Sequence, residues 1–394
     1  MSPRTLKQRK CMKPSCYFIG TSWHDAAVPA YFKALGAELA RRGHRVVFLT
    51  GNEYKDEQDH TGNPALYTWP SRRPTKVKDA IFLARLIRRF RPDCVIAQFA
   101  SVNWMMVVGW LMRVPNRMAW YQTLSRQIEI DSSVPKWKGW LLNQRKRFVY
   151  MLTTSVVSNS NAGRRDWGAT NRMSLEKASV VYYCLRDPLL NGAASPEDER
   201  VGHIIVCVGR LDESKGQDVL IRALGLLKSE SVNLEIRFVG DGPCRVGYEQ
   251  LARELGVEEQ CNFLGRLPHA SVFAEMERSV LSVTPSRSDC GPWTVLESLA
   301  VGAPVVASDV GGIPEMIRDG VDGFLVPPDD PEALAEKIKL LLTDTELRET
   351  MGRNARERFL TEFELSRNIG RHADWFEEIV ASRKGGKRRP WDVG

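Results

Sequence analysis

The chain has 394 residues, of which 43% are hydrophobic and 26% charged, with a formal net charge of +8. This is the composition of a soluble globular protein too long for one ordinary core, so two domains are expected. The longest apolar run, from Trp104 to Met112, covers nine residues and is too short to cross a bilayer.

The net charge hides an asymmetry. Residues 1–190 carry 31 Lys and Arg against 13 Asp and Glu, a balance of +18, whereas the remainder carries 25 against 35, a balance of −10. An anionic surface or partner is therefore expected for the first half alone. The eight cysteines show no Cys-x-x-Cys spacing and no cluster with histidine. Buried free thiols in a reducing cytosol, and no structural zinc, are the expectation.

In chain order, a basic N-terminus (Arg4, Lys7, Arg9, Lys10, Lys13) runs into a strand at 16–19, too short for the apolar core of a signal peptide. A helix at 29–42, a strand at 45–50, a basic helix at 78–90 and a strand at 93–98 follow. Further strands are expected at 117–121, 154–158 and 178–184. The alternation predicts a doubly wound parallel sheet. Around 187–202 the pattern lapses into a linker. It restarts with strands at 203–209, 235–239, 262–264, 280–284, 304–308 and 324–326. The expected domains are 1–190 and 203–362, then a helix at 363–381 crossing back to the first domain and a disordered basic tail at 382–394. A ligand is expected at the C-terminal strand ends, in the cleft between the domains.

Asp289 and Glu297 stand with seven residues between them. The stretch 292–300 predicts a helix, with Pro292 at its first position and Gly302 just past its end. One acid then lies in a loop at a helix N-terminus and the other within the helix. Donor N–H groups and the positive dipole end favour an anion there, which suits a sugar attached to a phosphate. On the pair alone, an N-capping Asp and a solvated Glu remain an equal alternative. Upstream, Arg210 ends a strand and Lys215 opens the next helix, two cations that can neutralise a diphosphate while nearby glycines let the backbone approach it. Gly240-Asp241-Gly242-Pro243 and Gly311-Gly312-Ile313-Pro314-Glu315 add two more turns at strand ends of the same domain.

With Val208-Gly209-Arg210-Leu211, Phe238-Val239-Gly240-Asp241-Gly242-Pro243, Val295-Leu296-Glu297-Ser298-Leu299-Ala300-Val301-Gly302-Ala303-Pro304 and Gly312-Ile313-Pro314-Glu315, the second half resembles the donor domain of the family 4 retaining glycosyltransferases of GT-B type. The first half is similar only in architecture and in Arg42-Gly43-His44-Arg45-Val46. The resemblance implies an α/β fold of two Rossmann-like domains facing across a cleft, a nucleoside-diphosphate sugar as donor, and neither cofactor nor metal. It implies that Arg210 and Lys215 bind the diphosphate, that Glu297 binds the ribose hydroxyls and that Asp289 contacts the transferred sugar. Gly20, Gln122, Gly240, Gly291, Trp293 and Thr294 complete the implied donor site. Retention is implied, with attack on the face of departure and the donor phosphate taking the acceptor's proton.

The chain departs from the family's usual form at Asp289, a shorter acid than the common Glu, followed by Cys290-Gly291-Pro292-Trp293. This bears on which sugar is taken. The usual glycine pair after the first strand is replaced by Gly20-Thr21-Ser22-Trp23-His24-Asp25. Gln122 stands where the family often has histidine; it can hydrogen-bond a sugar but cannot act as a base. His24 is the candidate for a partial substitute, with a structural histidine after a strand as the commoner alternative.

Residues 134–150 mix aromatics with Lys136, Lys138, Arg145, Lys146 and Arg147. This suits a helix lying on an anionic membrane, with an ordinary domain helix as the equal alternative. The charge of the first half favours peripheral membrane contact on the cytoplasmic side. It also favours a lipid-linked glycan acceptor, in cell-surface polysaccharide or glycolipid synthesis. A non-catalytic glycan-binding relative and a nucleotide-sugar epimerase remain as alternatives. A nucleic-acid binder is disfavoured for want of any recognised module, and a dinucleotide oxidoreductase for want of Gly-x-Gly-x-x-Gly.

Overall fold

The computed structural model describes residues 13–23, 26–51, 62–131, 135–191, 203–229 and 234–384. Two wholly parallel sheets organise them. The first contains β1 (Cys16–Gly20), β2 (Arg45–Thr50), β3 (Ala65–Thr68), β4 (Cys94–Ala97), β5 (Asn116–Tyr121), β6 (Ser155–Ser158) and β7 (Ala178–Val180), in the order β3-β2-β1-β4-β5-β6-β7. The helices between them are α1 (Ala27–Arg41), α2 (Val77–Phe90), α3 (Ser101–Leu111), α4 (Ser125–Asp131), α5 (Lys136–Met151) and α6 (Asn161–Asn171).

The second sheet contains β8 (Ile204–Val208), β9 (Glu235–Val239), β10 (Cys261–Gly265), β11 (Leu281–Thr284), β12 (Val305–Ser308) and β13 (Gly323–Val326), in the order β10-β9-β8-β11-β12-β13. Its helices are α7 (Gln217–Ser229), α8 (Arg245–Glu254), α9 (His269–Arg278), α10 (Trp293–Ala300), α11 (Pro331–Thr343) and α12 (Thr345–Arg358). Runs such as Ile204-Ile205-Val206-Cys207 are buried throughout. Parallel strands have helices on both faces and so need apolar residues on both, not on alternate positions. Strand order reverses between β1 and β4 and again between β8 and β11, which is where such sheets leave a crevice for a ligand.

Several local expectations are corrected. The strand expected at 178–184 stops at Val180, and Val181, Tyr183 and Cys184 stay buried in irregular chain. Pro292 is not the first helical residue of α10 but its N-cap, at ψ 132°. The apolar run ending at Met112 is the greater part of α3, whose Val102, Met105 and Met106 are buried. Of the linker expected at 187–202, Pro188–Asn191 form a 3-10 turn, and of the tail expected at 382–394, residues 382–384 close the last helix; 192–202 and 385–394 lie outside the described residues.

After α12 the chain makes a π-helical turn, Phe359–Phe363, and Glu364 bridges to Leu185 before α13 (Leu365–Lys384) begins. α13 packs on the first domain. The Arg42 guanidinium pairs with Asp374 at 2.5 Å and Glu377 at 3.0 Å, and His44 Nε2 meets Glu377 Oε1 at 2.9 Å. Tyr31 Oη lies 3.0 Å from His372 Nδ1, and Phe376 stacks on Trp120 with ring centres 6.3 Å apart.

Two predictions concern this helix. The Arg42 side chain is 7% exposed and joins Glu38, Asp374 and Glu377. Arg42→Ala removes that shared cation while Arg41 still pairs with Glu38 and His44 with Glu377, and is expected to cost about 2 kcal/mol, read as a lower urea midpoint. Burial, with the neighbouring Arg371 charge, holds the His372 imidazole down to about 4, below its ordinary 6.5. The unfolded chain takes up this proton first, so its contribution to stability is complete above about pH 6.5 and is lost as pH falls toward about 4. Unfolding midpoints across that window are expected to fall in the wild type and to flatten in His372→Gln.

Candidate active site

The two switch points face each other across a cavity of about 300 Å³. The first domain lines it with Phe99, Gln122, Gln127, Asn159 and Tyr183. The second supplies Gly209, Arg210, Lys215, Gln217, Thr284, Asp289 and the Gly291–Thr294 stretch. The volume is at the lower end of small-ligand sites.

Lys215 and Asp289 meet directly. Lys215 ends a short 3-10 turn after β8, and its Nζ donates to Asp289 Oδ2. Asp289 is only 6% exposed. Its other oxygen accepts the Gly291 N–H at 3.2 Å, and it does not cap α10. The capping alternative is thereby replaced by an ion pair. Arg210 is open by contrast, its side chain 64% exposed and its Nε 3.1 Å from Asp212.

Backbone crowding fixes these loops. Gly240, at φ 139°, would place a Cβ 1.9 Å from the Gly209 carbonyl oxygen. Gly311, at φ 59°, would place one 1.8 Å from the Asp289 carbonyl oxygen, which also accepts the Gly312 N–H at 3.0 Å. No other residue type passes there without moving the neighbouring strand-end loop.

The walls suit a polar, anionic ligand. Thr284 Oγ1, Gln217 Oε1 and Trp293 Nε1 are buried without a hydrogen-bond partner in the described structure, an arrangement that bound polar groups commonly satisfy. The first turn of α10, at Trp293 and Thr294, faces the same space and brings unpaired N–H groups and the positive end of the helix dipole. Among the described residues no three His, Cys, Asp or Glu side chains are grouped to hold a metal ion.

On the opposite wall, Tyr183 stacks on Trp293 with ring centres 4.5 Å apart. The Tyr183 hydroxyl donates to Gln122 Oε1, Gln122 Nε2 lies 3.3 Å from Gln98 Oε1, and Gln98 Nε2 donates to Thr21 Oγ1 at 2.7 Å. Gln122 thus stands inside a network that runs back to the loop after β1.

The cavity therefore gathers Asp289, Arg210, Lys215, Gly291, Trp293, Thr294 and Gln122. Gly20, Gly240 and Glu297 are not among its lining residues. A Cβ on Gly20 would sit 2.6 Å from Met105 Sδ, so this glycine serves the packing of α3 on β1. Gly240 acts through the Gly209 turn. Glu297 lies buried in α10, its Oε1 2.7 Å from His269 Nε2 at the start of α9. His24 lies outside the described residues. The sequence reading missed Phe99, Gln217, Thr284 and Tyr183. Their one sequence signal was nearness to strand ends, and Tyr183 was hidden in a stretch that looked like strand.

Other contacts close the domains together. Asp131, at the end of α4, accepts from Ser214 N at 3.0 Å and Ser214 Oγ at 2.7 Å. Glu315 accepts from Asn161 N at 2.7 Å, Ala162 N at 2.8 Å and the Tyr182 hydroxyl at 2.8 Å. Cys290 Sγ donates to Asn159 Oδ1 at 2.9 Å, and burial pushes its thiol up to about 12.

Residues 194–358 match the family model described as glycosyl transferases group 1, and residues 27–184 match the glycosyl transferase 4-like domain. The chain belongs to the group 1 glycosyl transferases. Within that family it is 31% identical over 176 residues to alpha-D-kanosaminyltransferase of Streptomyces kanamyceticus, covering 45% of this chain and 46% of that protein. The chain spans about half the length of the curated relatives it matches. Among solved structures, the sucrose-phosphate synthase of Thermosynechococcus elongatus superposes with a TM-score of 0.75 at 19% identity, covering 93% of this chain and 100% of that one. HepE of Anabaena, solved with UDP-glucose, gives 0.72 at 18%, covering 93% and 100%. These likenesses establish the GT-B fold.

The glycine turns yield a prediction. Gly311→Ala and Gly240→Ala each push a carbonyl out of place, and both variants are expected to weaken nucleoside-diphosphate binding by about tenfold or more, a loss of about 1.4 kcal/mol. Isothermal titration of folded variants measures it.

Proposed function

We propose that this glycosyl transferase family member moves a sugar from a nucleoside-diphosphate sugar to a hydroxyl acceptor with retention and without a metal ion. The observation that carries the reading is the Lys215–Asp289 pair, set beside Arg210 and beneath the first turn of α10 at the C-terminal ends of β8 and β11. Cleaving a sugar–phosphate bond leaves a diphosphate whose growing charge must be stabilised. Fixed cations and a helix N-terminus do so without reorganisation. Arg210 and Lys215 take that role, with Gly291, Trp293 and Thr294 around the phosphates and the sugar. Asp289, anchored by Lys215, orients the sugar, and its short side chain sets which sugar fits. The family resemblance assigns the ribose hydroxyls to Glu297, which here is held by His269 outside the cavity lining. The donor phosphate receives the acceptor's proton, and Gln122 holds the sugar's hydroxyls. The UDP-glucose bound by HepE supports a nucleotide sugar as the donor class.

The acceptor in this reading is a lipid-linked glycan at the cytoplasmic face of a membrane, serving cell-surface polysaccharide or glycolipid synthesis. Among the described residues no helix is long and apolar enough to cross a membrane. On α5, however, Trp137 is 62% and Trp140 60% exposed, among Lys138, Arg145 and Arg147. Exposed aromatics interleaved with cations are the makeup of a helix lying on an anionic surface.

Purified Lys215→Ala is expected to lose donor hydrolysis and transfer by about a hundredfold or more with an unchanged far-UV circular dichroism spectrum. Full activity in that variant would sink the proposal. The wild type is expected to keep its rate in a chelator, and to sediment with anionic liposomes at low salt but not at high salt.

A further inference from the structure

A second and larger cavity, of about 1030 Å³, opens in the first domain between α3, α4 and α5. It shares Phe99, Gln122 and Thr123 with the interdomain cavity. We propose that this cavity holds the apolar chain of a membrane-borne acceptor whose phosphate linkage sits on Arg145 and Lys146, with the acceptor's sugar entering the interdomain cavity past Phe99. This rests on the glycosyl-transfer reading above and names the acceptor's binding site within it.

The volume is at the upper end of small-ligand sites, enough for an extended hydrocarbon chain. Ile128, Leu142 and Val149 give the lining an apolar character, while its charged members are two cations, Arg145 and Lys146, against one acid, Glu129. Burial and the neighbouring Arg145 charge lower the Lys146 ammonium, and an anion placed there relieves both effects. An apolar space with a cationic rim fits a lipid phosphate better than a free glycan, which needs hydroxyl partners along its length.

The outer wall points the same way. From Trp137 to Phe148 no apolar side chain of α5 is buried; its apolar side chains meet the core only at Val149 and Tyr150. A helix with large apolar side chains left facing water lacks the apolar surroundings that would normally cover it. Seated in the interfacial layer of a membrane, it would cover those side chains and open the cavity sideways to lipid.

Phe99 marks the junction. It is 62% exposed, and its backbone is left-handed at φ 49°. A bulky residue rarely adopts that conformation, and such strain gathers at ligand sites. Phe99 lines both cavities.

Gly139 supplies a clean test. It lines the cavity, and a Cβ there would meet no atom within 4 Å. The Cβ position is open, and a phenylalanine there adds bulk to the cavity lining and improves helix propensity. The full chain, as wild type, Gly139→Phe and Lys146→Ala, is titrated in zwitterionic detergent with a fluorescent long-chain polyisoprenyl phosphate, with the matching polyisoprenol, and with inorganic pyrophosphate as competitor. Thermal shift by a nucleoside diphosphate is measured in parallel. The wild type is expected to bind the lipid phosphate about tenfold more tightly than the alcohol, equivalent to about 1.4 kcal/mol. Lys146→Ala should erase that preference, and Gly139→Phe should weaken both lipids about tenfold. The nucleoside-diphosphate shift should stay unchanged in both variants. The proposal is overturned if the wild type binds neither lipid, if Gly139→Phe binds the lipid phosphate as the wild type does, or if pyrophosphate alone displaces it completely. A wild type that binds the lipid phosphate but shows no nucleoside-diphosphate shift upholds the cavity assignment and overturns the donor site instead.

Discussion

The architecture of the interdomain cavity depends on the ion pair between Lys215 and Asp289. A carboxylate as buried as Asp289 is stable only with a cation or several hydrogen bonds, and removing its partner strands a charge at a cost of several kcal/mol. The pair joins the loop after β8 to the loop after β11. Gly216 lets the first loop pass beside the Pro285 carbonyl, and Gly311 lets the loop after β12 pass beside Asp289. With both loops fixed, the N-terminus of α10 is held towards the cavity.

The same loop also governs domain closure. Cys290, next to Asp289, is bound by Asn159 and Ser160 of the first domain, and Trp293 stacks on Tyr183. Glu315 caps α6 while Asp131 holds the Ser214 turn, so each domain places a carboxylate on backbone N–H groups of the other. Exchanging such hydrogen bonds with water costs little net free energy. The apolar cluster is continuous from β1 through Val181, Tyr183 and Leu185 to α10 and α13. The crossing at Leu185 and Glu364 is therefore packed, whereas the cleft is held by exchangeable polar contacts and by the Tyr183–Trp293 stack.

Charge and apolar exposure divide the labour between the halves. The acidic second half concentrates its useful cations at one cavity, as Lys215 and Arg210. The basic first half spreads cations over its helices and leaves α5 with uncovered aromatics. The two cavities meet at Phe99, Gln122 and Thr123, beside the point where the strand orders reverse.

The sequence by itself determined the parallel sheets, because continuous Val and Ile runs separated by helical periodicity allow little else. It also determined the positions of Arg210, Lys215, Asp289 and the glycine turns, because positive φ and strand-end loops leave local signatures. Tertiary structure decided what those side chains face. Lys215 and Asp289 are 74 residues apart in the chain, and no local pattern records that they meet. Glu297 turned to His269, Tyr183 left its expected strand to stack on Trp293, and Pro292 became a cap instead of a helical residue. Periodicity and turn chemistry report a residue's own backbone and the face it presents, whereas pairing across a cleft depends on how two sheets are set against each other.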